Sequence, residues 1–334
     1  MAARIRLFAI ALLLRLPAAF AAEQPTACET REPAGQGRWL VSTCSYWRHH
    51  YTFRPSLAVS GEGQFTPLQT RYGALNTARV ANQLTTDGPP AGWAGADFDD
   101  SSWPVARAPL PWMPDMDQDG TGPYSCHVIR VAAGRTRFIV PEPAKVGKLT
   151  LKVGYYGGVI VYVNGREVAR GHVPATGPAA EQLFAEPYPP QAYRPVGEQE
   201  IAEAKQGGLL DQYGYWHPGV GFQRWRTKPE GLPLFDRVLN IRVRRLTVEI
   251  PNQALRAGVN VLAVECRLSP ALLFDAGRGR SSPAPHVDKI PHIGIQEIEL
   301  ASQPGDAVVS ADRRPAGVQA WAEDIHRWLL AEDF

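Results

Sequence analysis

The sequence predicts an all-β protein built as an antiparallel sandwich. Glycine and proline are abundant, with 31 and 30 residues among 334, and both interrupt helices, which disfavours a helical bundle. Several segments alternate apolar and polar residues with the period of a half-buried strand. No helical pattern alternates with these segments, as a parallel α/β sheet would require, so antiparallel sheets are favoured.

Strand patterns are clearest beyond residue 130. Leu149, Leu151 and Val153 alternate with polar residues, which is typical of a strand with one buried face. Residues 159–163 are continuously apolar, as in a central strand. The predicted strands are 135–140, 149–153, 159–163, 166–170, 246–250, 260–268 and 293–300.

Two turns are predicted between neighbouring strands. Asn164-Gly165 separates two of them, and this dipeptide tolerates the positive φ angles of a type I′ hairpin turn. Residues 251–258 are expected to turn the chain so that strand 246–250 is followed by a partner strand at 260–268. Gly258 would permit a tight turn, and the Asn260 side chain would satisfy it.

Residues 1–22 have the pattern of a secretory signal peptide. Arg4 and Arg6 precede a short apolar run at 7–14, and residues 19–21 match an A-x-A cleavage site. No later stretch is long and apolar enough to be a membrane helix. We therefore expect an exported protein, secreted or located in the periplasm or at the cell surface, with no membrane span.

Three further regions have a distinct character. Residues 23–90 form an irregular N-terminal segment, with one candidate strand at 38–47. Residues 174–235 form a long insertion rich in Pro, Gly, Tyr and Trp, typical of a surface loop system, with a short helix expected within 197–210. Residues 302–334 comprise a linker and an amphipathic helix. The apolar face of that helix is Trp321, Ile325, Trp328 and Leu329.

The terminal helix needs a surface on which to pack its two tryptophans. Either it docks on the sandwich, or the chain is the front part of a longer protein. The second interpretation is favoured, and it implies downstream domains as partners.

The four cysteines allow three disulfide connectivities in an oxidising compartment. Cys28 and Cys44 are the closest in sequence and lie in the irregular N-terminal segment, so they are the first choice of pair, while Cys126 has no assigned role. Cys266 shares one face of the strand at 260–268 with apolar neighbours and is expected to be a small core side chain.

Three motifs between residues 91 and 300 occur in a fixed order. They are Trp93 with 97–103 (W…DFDDSSW), the strand 137–141 leading to the hairpin 159–168 (VIVYVNGREV), and 255–264 (LRAGVNVLAV). Together they resemble the galactose-binding-like jelly roll, which occurs as the sugar-binding domain of glycoside hydrolase family 2 and in secreted bacterial multidomain proteins. The resemblance implies a jelly-roll β-sandwich at 91–301, interrupted by the insertion.

The acidic motif at 97–102 is expected to be structural. Its side chains can accept hydrogen bonds that close local turns, and Trp103 can then plug the end of the sandwich. The carboxylate pairs Asp99/Asp100 and Glu297/Glu299 are neighbours in sequence, and they are expected to serve turns and a solvent-exposed face rather than catalysis.

No catalytic constellation is recognised in the sequence. There is no nucleophile elbow, zinc-protease motif or P-loop. A family 2 hydrolase also needs a (β/α)₈ barrel of about 250 residues, and only 34 residues follow position 300. The net charge of +2 removes the electrostatic argument for nucleic acid as a partner.

A calcium site is one candidate feature. Asp115, Asp117 and Asp119 precede Gly120 in a D-x-D-x-D-G pattern, which is the first half of an oxygen-ligand calcium loop. The closing glutamate of an EF-hand would fall at position 126, which is a cysteine. The alternatives are a structural calcium closed by other residues and an acidic solvated loop.

Loop aromatics are the candidate ligand-binding residues. A sugar stacks its C–H face on an aromatic ring while polar groups bind its hydroxyls. The candidates are Tyr213, Tyr215, Trp216, Arg224, Trp225 and Trp112. The alternative is that the insertion needs its own small core and that these aromatics form it.

The sequence therefore predicts an exported non-catalytic carbohydrate-binding module. The alternative is a structural or docking N-terminal domain of a longer surface protein or glycoside hydrolase, with no ligand of its own. An autonomous hydrolase with an unrecognised site is the least favoured interpretation.

Overall fold

The chain forms two antiparallel β-sheets packed face to face, which confirms the predicted all-β sandwich. The computed structural model describes residues 38–42, 45–55, 57–67, 85–107, 129–210, 214, 216, 237, 240–272, 293–303 and 309–310.

Strands account for most of the regular structure in these residues. They are β1 (Arg38–Val41), β2 (Tyr46–Phe53), β3 (Leu57–Val59), β4 (Phe65–Pro67), β5 (Val105–Arg107), β6 (Ile129–Val140), β7 (Leu149–Tyr156), β8 (Gly158–Val163), β9 (Arg166–Gly171), β10 (Arg244–Ile250), β11 (Gly258–Arg267), β12 (Ala271–Leu272), β13 (Gly294–Ser302) and β14 (Val309–Ser310). Two short helices, α1 (Pro178–Glu181) and α2 (Glu198–Gln206), lie in the insertion, and α2 confirms the helix expected within 197–210.

The first sheet has the strand order β1-β13-β7-β10, and we call it the four-strand sheet. The second has the order β5-β2-β6-β11-β8-β9, with β14 pairing the end of β6, and we call it the seven-strand sheet. A small third sheet joins β12, β3 and β4, in which β12 and β3 are parallel.

The core lies between the two large sheets. Leu262, Val264 and Cys266 of β11 point into it, and they face Leu151 and Val153 of β7 across the sandwich. Because successive side chains of a strand point to opposite faces, the alternating pattern places one side of each strand in this core. Cys266 is fully buried with a free thiol, which confirms its predicted place.

The Asn-Gly hairpin is present as predicted. Asn164 and Gly165 have φ angles of 52° and 86°, and the flanking residues Val163 and Arg166 pair across the turn. The Asn164 side chain donates to the carbonyl of Ala254 and to the Asn260 side chain. The turn is therefore tied to the neighbouring connection as well as to its own strands.

The expected pairing of strands 246–250 and 260–268 is wrong. β10 pairs with β7, whereas β11 pairs with β6 and β8 in the other sheet. The connection carries Ala254 and Leu255, which are buried in the core between the sheets. Burial of these apolar residues carries the chain across the sandwich instead of folding it back as a hairpin.

The sandwich begins earlier than residue 91, where the sequence motifs placed its start. β1 forms an edge of the four-strand sheet, and β2 lies between β5 and β6 in the seven-strand sheet. Leu40, Trp47 and Phe53 contribute to the main core. The candidate strand at 38–47 is thus resolved into two strands of different sheets.

Several predictions fall on residues outside the described part of the chain. They are the signal peptide at 1–22, the Cys28–Cys44 pair, the calcium candidates Asp115, Asp117 and Asp119, and the helix around Trp321 and Trp328. A search of the described residues finds no helix with the length and apolar character needed to cross a bilayer.

Candidate functional site

The insertion joins the sandwich at one end, which we call the insertion end. β9 ends there at Gly171, and β10 begins there at Arg244. Gly157 also lies at this end, between β7 and β8. Loops at the end of a rigid sandwich are where binding residues are most often carried, so this end is the candidate site.

Arg244 fixes the first part of the insertion. Its guanidinium donates to the backbone carbonyls of Gly157, Glu186 and Pro187 at 2.7, 3.1 and 3.0 Å, and it lies 4.2 Å from the ring centroid of Tyr188. These contacts join three separate chain segments. The planar five-donor guanidinium suits this task in a way that a lysine would not.

Tyr188 and Arg242 continue this network inward. The buried Tyr188 hydroxyl donates to the Arg242 carbonyl and accepts from the Gly157 N–H, both at 2.8 Å. Arg242 in turn donates to the Ala192 carbonyl at 2.8 Å. Burial raises the pKa of Tyr188 and lowers the pKa of Arg242 to about 10. Burial therefore keeps Tyr188 protonated, and the network holds the insertion through hydrogen bonds to backbone groups.

Trp216 is the predicted ligand-binding residue that the structure describes, and it is buried. Its ring is 3% exposed and packs against Ala204 and Leu209 in a small cluster of the insertion. Its indole N–H donates to the Gln191 carbonyl at 2.9 Å. At this position the structure agrees with the alternative, a core residue of the insertion, rather than with an exposed stacking platform.

The backbone of Trp216 closes a loop. Its N–H donates to the Tyr193 carbonyl at 2.9 Å, and it forms an antiparallel bridge with Leu210. Tyr213 and Tyr215 lie in sequence between these bridged residues. Their own positions, like those of Arg224, Trp225 and Trp112, lie outside the described residues.

A histidine that carried no sequence signal lies at the same end. The Nδ1 atom of His172 is 2.9 Å from the hydroxyl of Tyr155, a fully buried residue next to the end of β7. Burial raises the pKa of Tyr155 to about 12. Burial, and secondarily Arg244, lowers the pKa of His172, while Glu186 opposes that shift. At neutral pH the neutral imidazole of His172 is therefore in hydrogen-bond contact with the protonated phenol of Tyr155.

The main chain at His172 is held in an unfavourable conformation. Its φ angle is +54°, in the left-handed region that non-glycine residues seldom occupy. The Glu186 N–H donates to its carbonyl at 2.9 Å. A Cβ atom on Gly171 would lie 2.1 Å from the Tyr155 hydroxyl, so only glycine fits beside it.

Arg130 ties the base of the insertion to β6. Its guanidinium carbon lies 3.6 Å from the ring centroid of Phe184, and it donates to the carbonyls of Gln182 and Pro55. Burial, together with the nearby Arg54, lowers the pKa of Arg130 to about 9. These contacts are structural, because they attach the first part of the insertion to β6 and to Pro55, which follows β2.

The W…DFDDSSW motif covers the outer face of the seven-strand sheet. Trp93 and Trp103 pack there against Ala133, Val261 and Ala263. This corrects the expectation that Trp103 plugs the end of the sandwich. The side chains of Val261 and Ala263 point away from the core because their neighbours on β11 point into it, and the two tryptophans cover that outward face.

The two carboxylates of the motif have different roles. Asp99 accepts the Ser101 N–H at 2.9 Å and closes a turn, as expected. Asp100 is buried and forms ion pairs with Arg48, Arg135 and Arg137 at 3.3, 3.3 and 2.7 Å. Asp100 is therefore a charged link between the motif and the sheet rather than a turn residue.

The outer face of the four-strand sheet carries the other predicted carboxylate pair. Glu297 is exposed and Glu299 half-buried, as expected for a solvent face. Within the described ranges, no three His, Cys, Asp or Glu side chains gather as metal ligands. The chemistry available at the insertion end is hydrogen bonding by His172, Glu186 and Arg244 on a rigid frame.

No known protein family matches the chain, and no curated protein matches it. Among solved structures, the chain is similar to a β-glycosidase from Bacteroides vulgatus at 12% identity and a TM-score of 0.32, covering 78% of this chain and 20% of that one. The chain is also similar to a Bifidobacterium dentium β-glucuronidase complexed with coumarin-3-O-glucuronide, at 12% identity and a TM-score of 0.35. That similarity covers 82% of this chain and 31% of the other.

A third similar structure is a β-glucuronidase from glycoside hydrolase family 2, at 10% identity and a TM-score of 0.30, covering 82% of this chain and 18% of that one. The chain thus spans between about a fifth and a third of the length of these enzymes. Similarities of this size assign the chain to no family.

Proposed function

We propose that the chain is a non-catalytic glycan-binding module of an exported protein, and that the loops of the insertion end form its binding surface. The observation that carries the proposal is the bridge between Leu210 and Trp216. It closes a short loop whose sequence contains Tyr213 and Tyr215, the residue type that stacks on sugars.

The rigidity of the insertion end supports this proposal. Arg244, Arg242 and Tyr188 hold the insertion by hydrogen bonds to backbone carbonyls, and Trp216 is held by its indole and by its backbone. A loop fixed before binding loses less conformational entropy when a ligand arrives. Shallow sugar sites gain little energy per contact and benefit from this arrangement.

Affinity gel electrophoresis of the full chain tests the proposal. The gels contain xylan, galactan, laminarin, alginate or polygalacturonate, and retardation by at least one is expected. The double variant Tyr213→Ala/Tyr215→Ala should migrate without retardation. Val259→Ala removes an exposed side chain from the opposite end of the sandwich and should behave as the wild type.

The second candidate function is a docking domain of a longer protein, with no ligand of its own. It is favoured by the burial of the four tryptophans whose side chains are described, which are Trp47, Trp93, Trp103 and Trp216. Unchanged mobility in all five glycans would overturn the binding proposal and favour this one. Export is tested separately, by the mass of the mature N-terminus, which is expected to begin near residue 23.

A further inference from the structure

His172 combines an exposed side chain with a constrained backbone. The residue is exposed, yet its φ of +54° is maintained by the bond from the Glu186 N–H and by the close approach of Gly171 to Tyr155. Glycine or asparagine would adopt this conformation at lower cost. Such conformations cluster at functional sites, so an exposed histidine held in this way is a candidate functional residue.

The Tyr155 hydroxyl sets the tautomer of the imidazole. Among the described residues, Nδ1 of His172 is the hydrogen-bond partner of this hydroxyl, at 2.9 Å. A phenol whose pKa is raised to about 12 keeps its proton at neutral pH. Because Nδ1 of His172 is the acceptor in contact with that hydroxyl among the described residues, the hydroxyl donates to Nδ1. The ring hydrogen of the neutral imidazole then lies on Nε2, because each neutral ring carries one N–H.

Besides the burial that lowers the pKa of this ring, the charges of Arg244 and Glu186 lie near enough to affect that pKa, Arg244 lowering it and Glu186 raising it. Glu186 is exposed and bonds to the His172 carbonyl through its backbone. Arg244 holds the Glu186 carbonyl in turn. An N–H donor and a carboxylate acceptor on one rim match the hydroxyl groups of a sugar, each of which both donates and accepts.

We propose that His172 and Glu186 are hydrogen-bonding residues of the glycan site, with Nε2–H of His172 donating to a sugar oxygen and the Glu186 carboxylate accepting from a sugar hydroxyl. This inference rests on the proposed glycan-binding function. Tyr155 is a positioning residue that acts through the ring of His172.

Matched variants separate this role from a structural one. His172→Asn keeps a residue that tolerates the left-handed backbone and removes the imidazole. Leu183→Asn makes the same kind of change at another left-handed position of the insertion, where φ is +57°. In gels containing a retarding glycan of the five-member panel, His172→Asn should lose about tenfold in affinity, the value of one good hydrogen bond, whereas Leu183→Asn should stay within about twofold.

Two further measurements complete the test. Glu186→Gln should weaken binding to a similar extent. ¹⁵N NMR of the wild-type ring without glycan should show the Nε2–H form of His172, and Tyr155→Phe should shift the ring towards a mixture of tautomers. A Nδ1–H ring in the wild type would overturn the assigned orientation.

The outcomes are distinguishable from those of the functional proposal. Retardation of wild type together with equal retardation of His172→Asn would overturn the role of His172 and leave glycan binding intact. Absence of retardation of the wild type by every glycan would overturn glycan binding itself, and with it the assignment of a ligand to this rim.

Discussion

The carboxylate of Asp100 lies 3.3 Å from Nε of Arg135, whose side chain is fully buried beneath the W…DFDDSSW motif. Arg135 also donates to the carbonyls of Gly95 and Phe98 and contacts the Phe98 ring. Burial lowers the pKa of Arg135, and the charge of Asp100 opposes that shift. The motif and the sheet are therefore linked by one buried carboxylate, which pairs with the buried Arg135 and with the partly exposed Arg48 and Arg137.

Asp100→Ala should strongly destabilise the fold. It leaves the buried guanidinium of Arg135 without a counter-ion, which in comparable cases costs about 3–5 kcal/mol. Because Arg48 and Arg137 are partly exposed, we expect the lower end, about 3 kcal/mol. Urea unfolding measures the loss. Asp99→Ala, at the neighbouring exposed carboxylate, is the control, and an equal effect of both variants would contradict the assignment.

Asn260→Ala should also destabilise the sandwich. The Asn260 side chain is fully buried. It donates to the carbonyls of Arg256 and Gly258 and accepts from the Arg256 N–H and the Asn164 side chain. Loss of these four bonds leaves part-buried backbone groups and the Asn164 amide with fewer partners, at a combined cost of about 3 kcal/mol.

The control for Asn260 is Asn252→Ala in the same connection. Asn252 is exposed and donates one bond of 3.1 Å to the Val146 carbonyl, so its loss should cost about 0.5–1 kcal/mol. Thermal unfolding of both variants decides the matter. A smaller effect at Asn260 than at Asn252 would show that the buried side chain is not what fixes the connection.

Local patterns predicted the strands well, but they predicted the strand partners only at the Asn-Gly hairpin. The Asn-Gly turn and the alternation in β7 and β10 are properties of a few consecutive residues, and they appear where expected. The crossing from β10 to β11 depends instead on burial of Ala254 and Leu255 between two sheets. A connection of seven residues can either fold back into a hairpin or cross to the other sheet. The packing of its apolar residues between the sheets determines which of the two occurs.

β2 and the insertion end show why other features were missed. In β2, His49 points inward at 1% exposure and stacks on Tyr51. A polar residue therefore occupies a buried position, and the alternation of apolar and polar residues does not mark the buried face of this strand. The pair of Tyr155 and His172 joins residues 17 positions apart. Neither a left-handed histidine nor a buried arginine such as Arg130 leaves a periodic signal in the sequence.

Acidification should destabilise the protein through His50, a half-buried histidine of β2. Burial lowers the pKa of His50, whose ring lies 5.1 Å from that of Trp103, below the ordinary value of 6.5. The unfolded chain then binds protons more readily than the folded chain. The contribution of the neutral His50 to the free energy of unfolding is fully present above pH 6.5. It is lost as the pH drops towards the lowered pKa of the folded state.

The variant His50→Phe isolates this contribution. It keeps an aromatic ring against Trp103 and removes the titrating group. Urea unfolding at pH 7.5 and 5.0 should show a smaller loss of stability on acidification in the variant than in the wild type. An identical pH dependence of the two proteins would show that the unfolded and folded chains protonate His50 equally.

Trp216→Ala should loosen the insertion while leaving the two large sheets folded. The truncation empties the centre of a small cluster formed with Ala204 and Leu209, and comparable truncations of buried aromatics cost about 3–5 kcal/mol. That cluster is separate from the core between the sheets, so the loss falls on the insertion. Limited proteolysis should cut the variant within residues 197–216.

Trp216→Phe is the matched variant, because it retains a ring in the cluster and loses the indole bond to the Gln191 carbonyl, a change of about 1 kcal/mol. It should resist the protease nearly as well as the wild type. If the bridged loop binds glycan, the alanine variant also loses its retardation in gels, since Tyr213 and Tyr215 are no longer held between fixed ends. Protease resistance of Trp216→Ala equal to that of the wild type would show that the insertion is fixed by the arginine network alone.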